Sequence, residues 1–213
     1  MAEAVVPPVR LARGPLKRVG GAVVLDFVNT ADWHLRPEPE EWLESYADLL
    51  AWAKGVGAID AARARRLAAL AKADPAAAER VLTDARSLRE ALFGICLATA
   101  RGGTPAETDL RLVNAWLARA APRLGLRREG RRLAWTWPEP EVLESVLAPI
   151  LWSAGDVLAG EVRARVKLCA ADGCGWVFLD ASRKANRLWC SMDGCGNRAK
   201  AKRHYRRAQA GSA

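Results

Sequence analysis

Four of the five cysteines lie near the C-terminal end in two copies of one heptapeptide, Cys169-Ala-Ala-Asp172-Gly173-Cys174-Gly175 and Cys190-Ser-Met-Asp193-Gly194-Cys195-Gly196. Each copy offers two sulfurs across four residues, and 15 residues separate the two cysteine pairs. That is the spacing of a four-thiolate zinc site: Zn2+ takes a tetrahedron of sulfurs at about 2.3 Å, which two tight turns supply without a large core. The Asp-Gly steps predict the turns, since glycine enters positive φ cheaply and Asp caps nearby backbone. Two disulfides or a redox switch are the competing chemistries. Disulfide frameworks belong to short secreted chains, and Met1–Pro15 contains no apolar leader core. The expectation is therefore one Zn2+ held by Cys169, Cys174, Cys190 and Cys195. Cys96, alone among Leu92, Phe93, Ile95 and Leu97, reads as a core residue.

Charge divides the chain at the same place. Residues 1–162 hold 21 basic and 21 acidic side chains, whereas residues 163–213 hold 12 basic ones against Asp172, Asp180 and Asp193, so the formal +9 belongs wholly to the cysteine segment. A Zn2+ with four thiolates lowers this by about two charges. So dense a basic segment favours a polyanion, nucleic acid ahead of an anionic membrane surface, with double-stranded DNA the first expectation and RNA the alternative nucleic acid. No apolar run of membrane length occurs, so the expectation is a cytoplasmic, nucleoid-associated protein with no membrane partner.

The elements that position the cysteines are expected to be mainly helical. Gly21–Thr30 is an apolar run, read as a short strand or a helix start. Glu40–Ala53 has helical spacing, with Glu38, Glu40, Glu41 and Glu44 as partners for the helix dipole. Asp60 predicts the cap of a helix to Ala73, and Asp74-Pro75 opens another of about 26 residues to Gly102-Gly103. Thr104-Pro105-Ala-Glu107 reads as a capping box for a helix ending before Pro122. Leu124, Leu126, Leu133, Trp135 and Trp137 alternate around Glu129-Gly130, which predicts a hairpin near 124–137. Glu139–Gly160 returns to helical spacing, kinked or divided at Pro149.

Within the cysteine segment, Trp176–Asp180 and Arg187–Trp189 read as a hairpin between the two turns, and Arg198–Ala210 as a helix. Arg198, Lys202 and Arg206 lie along one side of that helix, Lys200, Arg203 and Arg207 along another, with His204 among them. With little apolar surface beyond Tyr205, zinc at its N-terminus and phosphates along its length must hold it. The candidate nucleic-acid residues are these seven with Arg183, Lys184 and Arg187 of the hairpin. The alternative reading is a charged helix that is merely solvated. The fold class is thus mainly α with a small β-hairpin (α+β). A lead (1–20) and a helical domain (21–160) precede a four-cysteine, ββα-like (treble-clef or ribbon-like) zinc module (163–210).

Trp189-Cys-Ser-Met-Asp-Gly-Cys195-Gly196-Asn197-Arg198-Ala-Lys200 resembles the CGNR zinc-finger family, and Phe178-Leu-Asp180-Ala-Ser182-Arg183 is similar to it as well. Leu25-Asp-Phe-Val-Asn-Thr30 and Leu88-Arg-Glu-Ala-Leu92 resemble the ABATE domain that accompanies this finger. The resemblance implies a stress-related transcription regulator with a DNA-binding finger. Ala185 stands in the finger's turn where the resemblance leads one to expect glycine.

Asp26, Asn29, Thr30, Trp33 and His34 gather polar groups in and after the first apolar run. Asn29 and Thr30 either cap a helix and tie down a turn, or the group lines a small-molecule pocket with Trp42, Trp52 or Trp152. Two histidines and the absence of a Walker loop, a G-x-S-x-G elbow and an H-E-x-x-H sequence argue against an enzyme. An RNA-binding or ribosome-associated protein and a zinc-stabilised protein-interaction module are the alternatives. A homodimer is expected, because one small finger buries little surface on DNA.

Overall fold

The computed structural model describes residues 7–120, 125–136 and 142–210. Strands β1 (Val9–Leu11) and β2 (Gly14–Leu16) form a hairpin, followed by helix α1 (Val23–Val28) and the two-residue strands β3 (Ala31–Asp32) and β4 (Glu40–Glu41). Helices α2 (Tyr46–Gly55), α3 (Ala61–Ala73), α4 (Pro75–Ala100) and α5 (Glu107–Ala120) come next, then the hairpin β5 (Gly125–Glu129) and β6 (Arg132–Thr136). Helix α6 (Ala148–Ala159), strands β7 (Val166–Leu168) and β8 (Val177–Leu179), and helix α7 (Asn197–Ala210) complete the order. The four strand pairs are all antiparallel, and the fold is mainly helical.

The local signals explain most of these bounds. Asp60 accepts the N–H of Arg63 at 2.7 Å and Asp74 that of Ala77 at 2.9 Å, with Pro75 where no donor is needed, so α3 and α4 meet at Asp74. Gly21–Thr30 resolves as helix: Val24, Leu25, Phe27 and Val28 of α1 are wholly buried between α4, α6 and β8. Cys96 is buried on α4 as expected, and burial pushes its thiol up to about 12. Pro149 opens α6 after a 3-10 turn over Leu143–Leu147, so the proline divides the segment.

Three expectations are corrected. Helix α2 starts at Tyr46, not Glu40, because Ser45 and Asp48 build a reciprocal capping box there (Asp48 N to Ser45 Oγ 3.2 Å, Ser45 N to Asp48 Oδ2 3.0 Å). The acidic cluster is thus freed from the dipole: Glu41 accepts from both terminal guanidinium nitrogens of buried Arg89 at 2.7 Å, while Glu40 and Glu44 meet Arg13 at 3.3 Å. Helix α5 starts at Glu107, beyond the proposed Thr104 cap; Gly102 and Gly103 donate back to Thr99 and Ala98 to close α4, and residues 103–106 link the two helices without regular structure. Finally, β8 pairs with β7 rather than with Arg187–Trp189. Asp180 takes the N–H of Arg187 at 2.8 Å and Arg187 Nε donates to Trp189 O at 2.9 Å, which withdraws that segment from a ladder. Leu124, Trp137 and the start of the Glu139 segment lie outside the described residues.

From residue 7 on, the lead is structured. Val9 and Leu11 are buried where β1 packs on α2, Leu16 is buried on β2, and the buried core runs unbroken from the helices to the four cysteines.

Candidate metal centre and nucleic-acid surface

The first cysteine turn is the loop of the β7–β8 hairpin. Cys169 donates its N–H to Trp176 O at 2.8 Å and Cys174 to Ala171 O at 3.1 Å, with Gly173 at φ +71° as the Asp-Gly step predicts. The second turn differs. Ser191 is its cap, taking the N–H of Gly194 at 3.1 Å, and Met192–Gly196 forms a wide helical turn running straight into α7. Gly194 needs no positive φ here, so that part of the turn expectation holds only for the first copy. The result is a hairpin, two cysteine turns and a helix, with the first turn in the hairpin loop and the second at the helix N-terminus.

The four sulfurs lie within 4.8 Å of one another, and all four cysteines are buried and free of disulfides. Cys174 Sγ is 3.9 Å from Cys190 Sγ, and Cys195 Sγ is 3.6 Å from each of them. A tetrahedron with Zn–S bonds of about 2.3 Å has edges of about 3.8 Å. The donor set therefore fits zinc in both identity and spacing. Cys169, which receives hydrogen bonds from Cys174 and Cys190, is held below the usual thiol range; donating to Cys169 holds those two above it. Sulfurs this close do not all ionise by themselves, and a divalent cation is what lets the set release its protons. The backbone N–H of Cys190 to Cys169 Sγ (3.4 Å) and the Arg198 guanidinium to Cys195 Sγ (3.0 Å) supply outer hydrogen bonds to the thiolates.

The chain between the turns is organised by Asp180, which is fully buried. It accepts from Lys167 Nζ at 2.8 Å, Ser182 N at 3.0 Å and Arg187 N at 2.8 Å. Burial works to raise its pKa, but these donors, Lys167 foremost, hold the carboxyl well below the carboxylate range. Ala185 sits at φ +47°, the left-handed region in which the resemblance leads one to expect glycine.

The predicted nucleic-acid residues separate into two groups. Arg187 lies over the Phe178 ring at 4.4 Å and also donates to Cys190 O, so it braces the metal turn. Arg198, besides its sulfur contact, stands 4.6 Å from the centroid of the Trp33 ring, and Lys202 pairs with Asp172 at 2.6 Å. Arg183, Lys184, Lys200, Arg203 and His204 are exposed, as are Arg198 and Lys202 despite their contacts. The side chains of Arg206 and Arg207 lie outside the described set.

Of Asp26, Asn29, Thr30 and Trp33, Trp33 lines a pocket, together with the expected companion Trp42. Asp26 takes the N–H of Gly20 at 2.8 Å, and its pKa is raised by burial. Asn29 completes a two-bond clamp on β8: its Nδ2 donates to Val177 O and its Oδ1 accepts from Val177 N, both at 2.9 Å. Thr30 donates to Phe27 O at 2.6 Å. These three tie down turns and join the helices to the finger. Trp52 is packed against Phe27, and Trp152 lies outside the pocket on the surface. Sequence reasoning missed that residues 32–36 form a strap over the first cysteine turn. In it His34 stacks on Phe93 at 3.8 Å and meets Glu90 at 2.7 Å, while Trp33, at φ +55°, lies between the guanidiniums of Arg36 and Arg198. Beside the strap opens a pocket of about 250 Å³, shared between the helical part and the finger. Lys17, Asp32, Trp33, Trp42, Trp176 and Arg198 are among its walls, which reach Cys174, Cys190 and Cys195.

Residues 21–161 match the model of the ABATE family, described as "Putative stress-induced transcription regulator", and residues 165–208 match the CGNR zinc finger. A search of curated proteins finds no match. Among the described residues no helix is long and apolar enough to cross a membrane.

Proposed function

The chain belongs to the ABATE family and ends in a CGNR zinc finger, and from that premise we propose a zinc-dependent, DNA-binding transcription regulator whose DNA surface is one face of α7. Zinc, when bound by Cys169, Cys174, Cys190 and Cys195, supplies a cross-link that fixes α7 to the hairpin. The observation carrying the reading is how the cations divide around α7. Arg198 and Lys202, though exposed, are committed to partners within the protein, Arg198 to Cys195 and Trp33 and Lys202 to Asp172. Lys200, Arg203 and His204, at spacings of three and four residues, share the outer face, and Arg207 falls in the same register. No acidic residue follows Asp193 in the sequence, and among the described residues neither Lys200 nor Arg203 forms an ion pair. Arg183 and Lys184 add exposed charge on the turn between the cysteine pairs, suited to phosphate contacts.

The test is duplex-DNA binding across a salt series by zinc-loaded protein, chelator-stripped protein and a zinc-loaded Lys200→Ala/Arg203→Ala variant. Binding is expected from the zinc-loaded form alone, with the log–log salt slope of the double variant shallower by about two. Equal binding after stripping would remove the zinc dependence. Preference for structured RNA in competition would move the surface to RNA.

The interdomain pocket supports an effector role for the helical part. Three indoles, with Lys17 and Arg198 against the single carboxylate of Asp32, suit a small aromatic acid, and an occupant there would press on the second cysteine turn. Benzoate-type acids should shift tryptophan fluorescence and melting temperature saturably in wild type and much less in Lys17→Ala. Identical titrations in the two proteins would rule the pocket out as the sensor.

A further inference from the structure

The β5–β6 hairpin carries a charge that the helical part as a whole does not. Residues 127–132 read Arg-Arg-Glu-Gly-Arg-Arg, a local surplus of three positive charges, while residues 1–162 net to zero. The rest of that part is therefore acidic on balance, and the basic residues have been concentrated at one tip. Its register pairs Arg127 with Ala134, Arg128 with Leu133 and Glu129 with Arg132, with Gly130 at φ +63° making the turn. Residues Leu126–Leu133 are exposed throughout, Leu126 at 58% and Leu133 at 70%.

A two-stranded ribbon exposed on both faces is marginally stable in water, and bare leucines add to its cost. Arg127 is paired with Glu129 at 2.9 Å, but Arg128, Arg131 and Arg132 have no ion-pair partner among the described residues. All four cations are arginine, whose planar fork binds phosphate oxygens in pairs and gives up water more readily than lysine. Five-residue strands reach about 17 Å, with the two chains about 4.8 Å apart. A ribbon of those dimensions enters the major groove of B-DNA, about 12 Å wide, flanked by phosphates on both sides. A second copy of the hairpin is a poor occupant, since two such tips repel.

We propose that the β5–β6 hairpin is a second nucleic-acid contact, a basic ribbon that docks in a groove of duplex DNA beside the finger. The proposal rests on the DNA-binding reading above. It also answers how a single small finger gains enough contact surface, because specific DNA interfaces usually exceed what one such module buries.

The experiment compares full-length, zinc-loaded wild type with an Arg128→Ala/Arg131→Ala/Arg132→Ala variant on the same mixed-sequence duplex over a salt series. Zinc content and far-UV circular dichroism are recorded for both. The variant is expected to keep its zinc and helicity while the slope of log K against log salt becomes shallower by about two to three. An unchanged slope in a variant whose parent binds DNA in a zinc-dependent way overturns the ribbon and leaves the finger reading intact. No duplex binding by either protein overturns both. Loss of self-association by light scattering with the slope unmoved also overturns it, and assigns the hairpin to a protein contact.

Discussion

The two cysteine turns have the same C-x-x-D-G-C-G sequence and opposite surroundings. The first is roofed. Residues 32–36 lie across it, the Asn29 clamp holds the strand that follows it, and Gly20 O takes the N–H of Leu179 at 2.8 Å. The second has no such roof: Cys190, Ser191, Gly194 and Cys195 line the pocket, which touches the first turn only at Cys174 and the adjoining Trp176, and the turn hands the chain directly to α7. One turn therefore ties the metal to the helical part, and the other ties it to the proposed DNA surface. Identical ligands with different neighbours give the zinc centre two distinct mechanical roles.

The sharpest way to break this comparison uses the glycine that ends each copy. Gly175 stands at φ +72°, and a Cβ there would meet His34 Cβ at 2.6 Å and Leu35 N at 2.9 Å, so backbone would have to move. The left-handed conformation and the overpacking together make Gly175→Ala cost about 3 kcal/mol. A Cβ on Gly196 would meet Met192 Sδ at 2.8 Å, the end of a flexible and 48% exposed side chain that can swing aside. Gly196→Ala is expected to cost about 1 kcal/mol or less. Denaturant unfolding of the two zinc-loaded variants checks the difference. Equal losses would mean that the strap does not roof the first turn as described.

A smaller effect is expected from the clamp. Asn29→Ala removes both hydrogen bonds to Val177 and leaves a buried N–H and C=O without partners, a loss of about 2 to 3 kcal/mol. The comparison predicts where that loss is felt. Amide exchange should rise through β8 and the first cysteine turn, with α7 and the second turn protected as before. A uniform rise across both turns would show the finger to be one stiff body, indifferent to which side holds it.

What the sequence disclosed follows the range of the interactions involved. The caps at Asp60 and Asp74, the four thiols and the β5–β6 hairpin rest on neighbours a few residues away, and local spacing is enough to place them. The roles of Asn29 and Arg198 were not legible, because Val177 is 148 positions from Asn29 and Trp33 lies in a different part of the chain from Arg198. Strand β7 was hidden by its three-residue length behind the arginine-bearing 3-10 turn over Glu161–Arg165. Arg187–Trp189 looked like a strand because its side chains favour one. Buried Asp180 and the arginine's own side chain captured the backbone groups that a strand requires.

The turn that joins the two cysteine pairs offers the smallest test. Ala185 holds φ +47° while its N–H reaches Ser182 O at 3.1 Å and its carbonyl accepts from Lys167 Nζ. The left-handed region costs an L-residue about 1–2 kcal/mol. Glycine removes that cost but adds about 0.5–1 kcal/mol of unfolded-state freedom. Ala185→Gly should therefore stabilise the zinc-loaded protein by about 0.5 to 1 kcal/mol, a rise of a few degrees in melting temperature. The residue lies between the two turns, and its hydrogen bonds go to Ser182 and Lys167, so the gain should leave the Gly175 and Gly196 difference unchanged. Additivity of Ala185→Gly with each glycine variant would show that the connecting turn only spans the two pairs. A gain that vanishes in the Gly175→Ala background alone would mean that the turn's conformation is set by the roofed side.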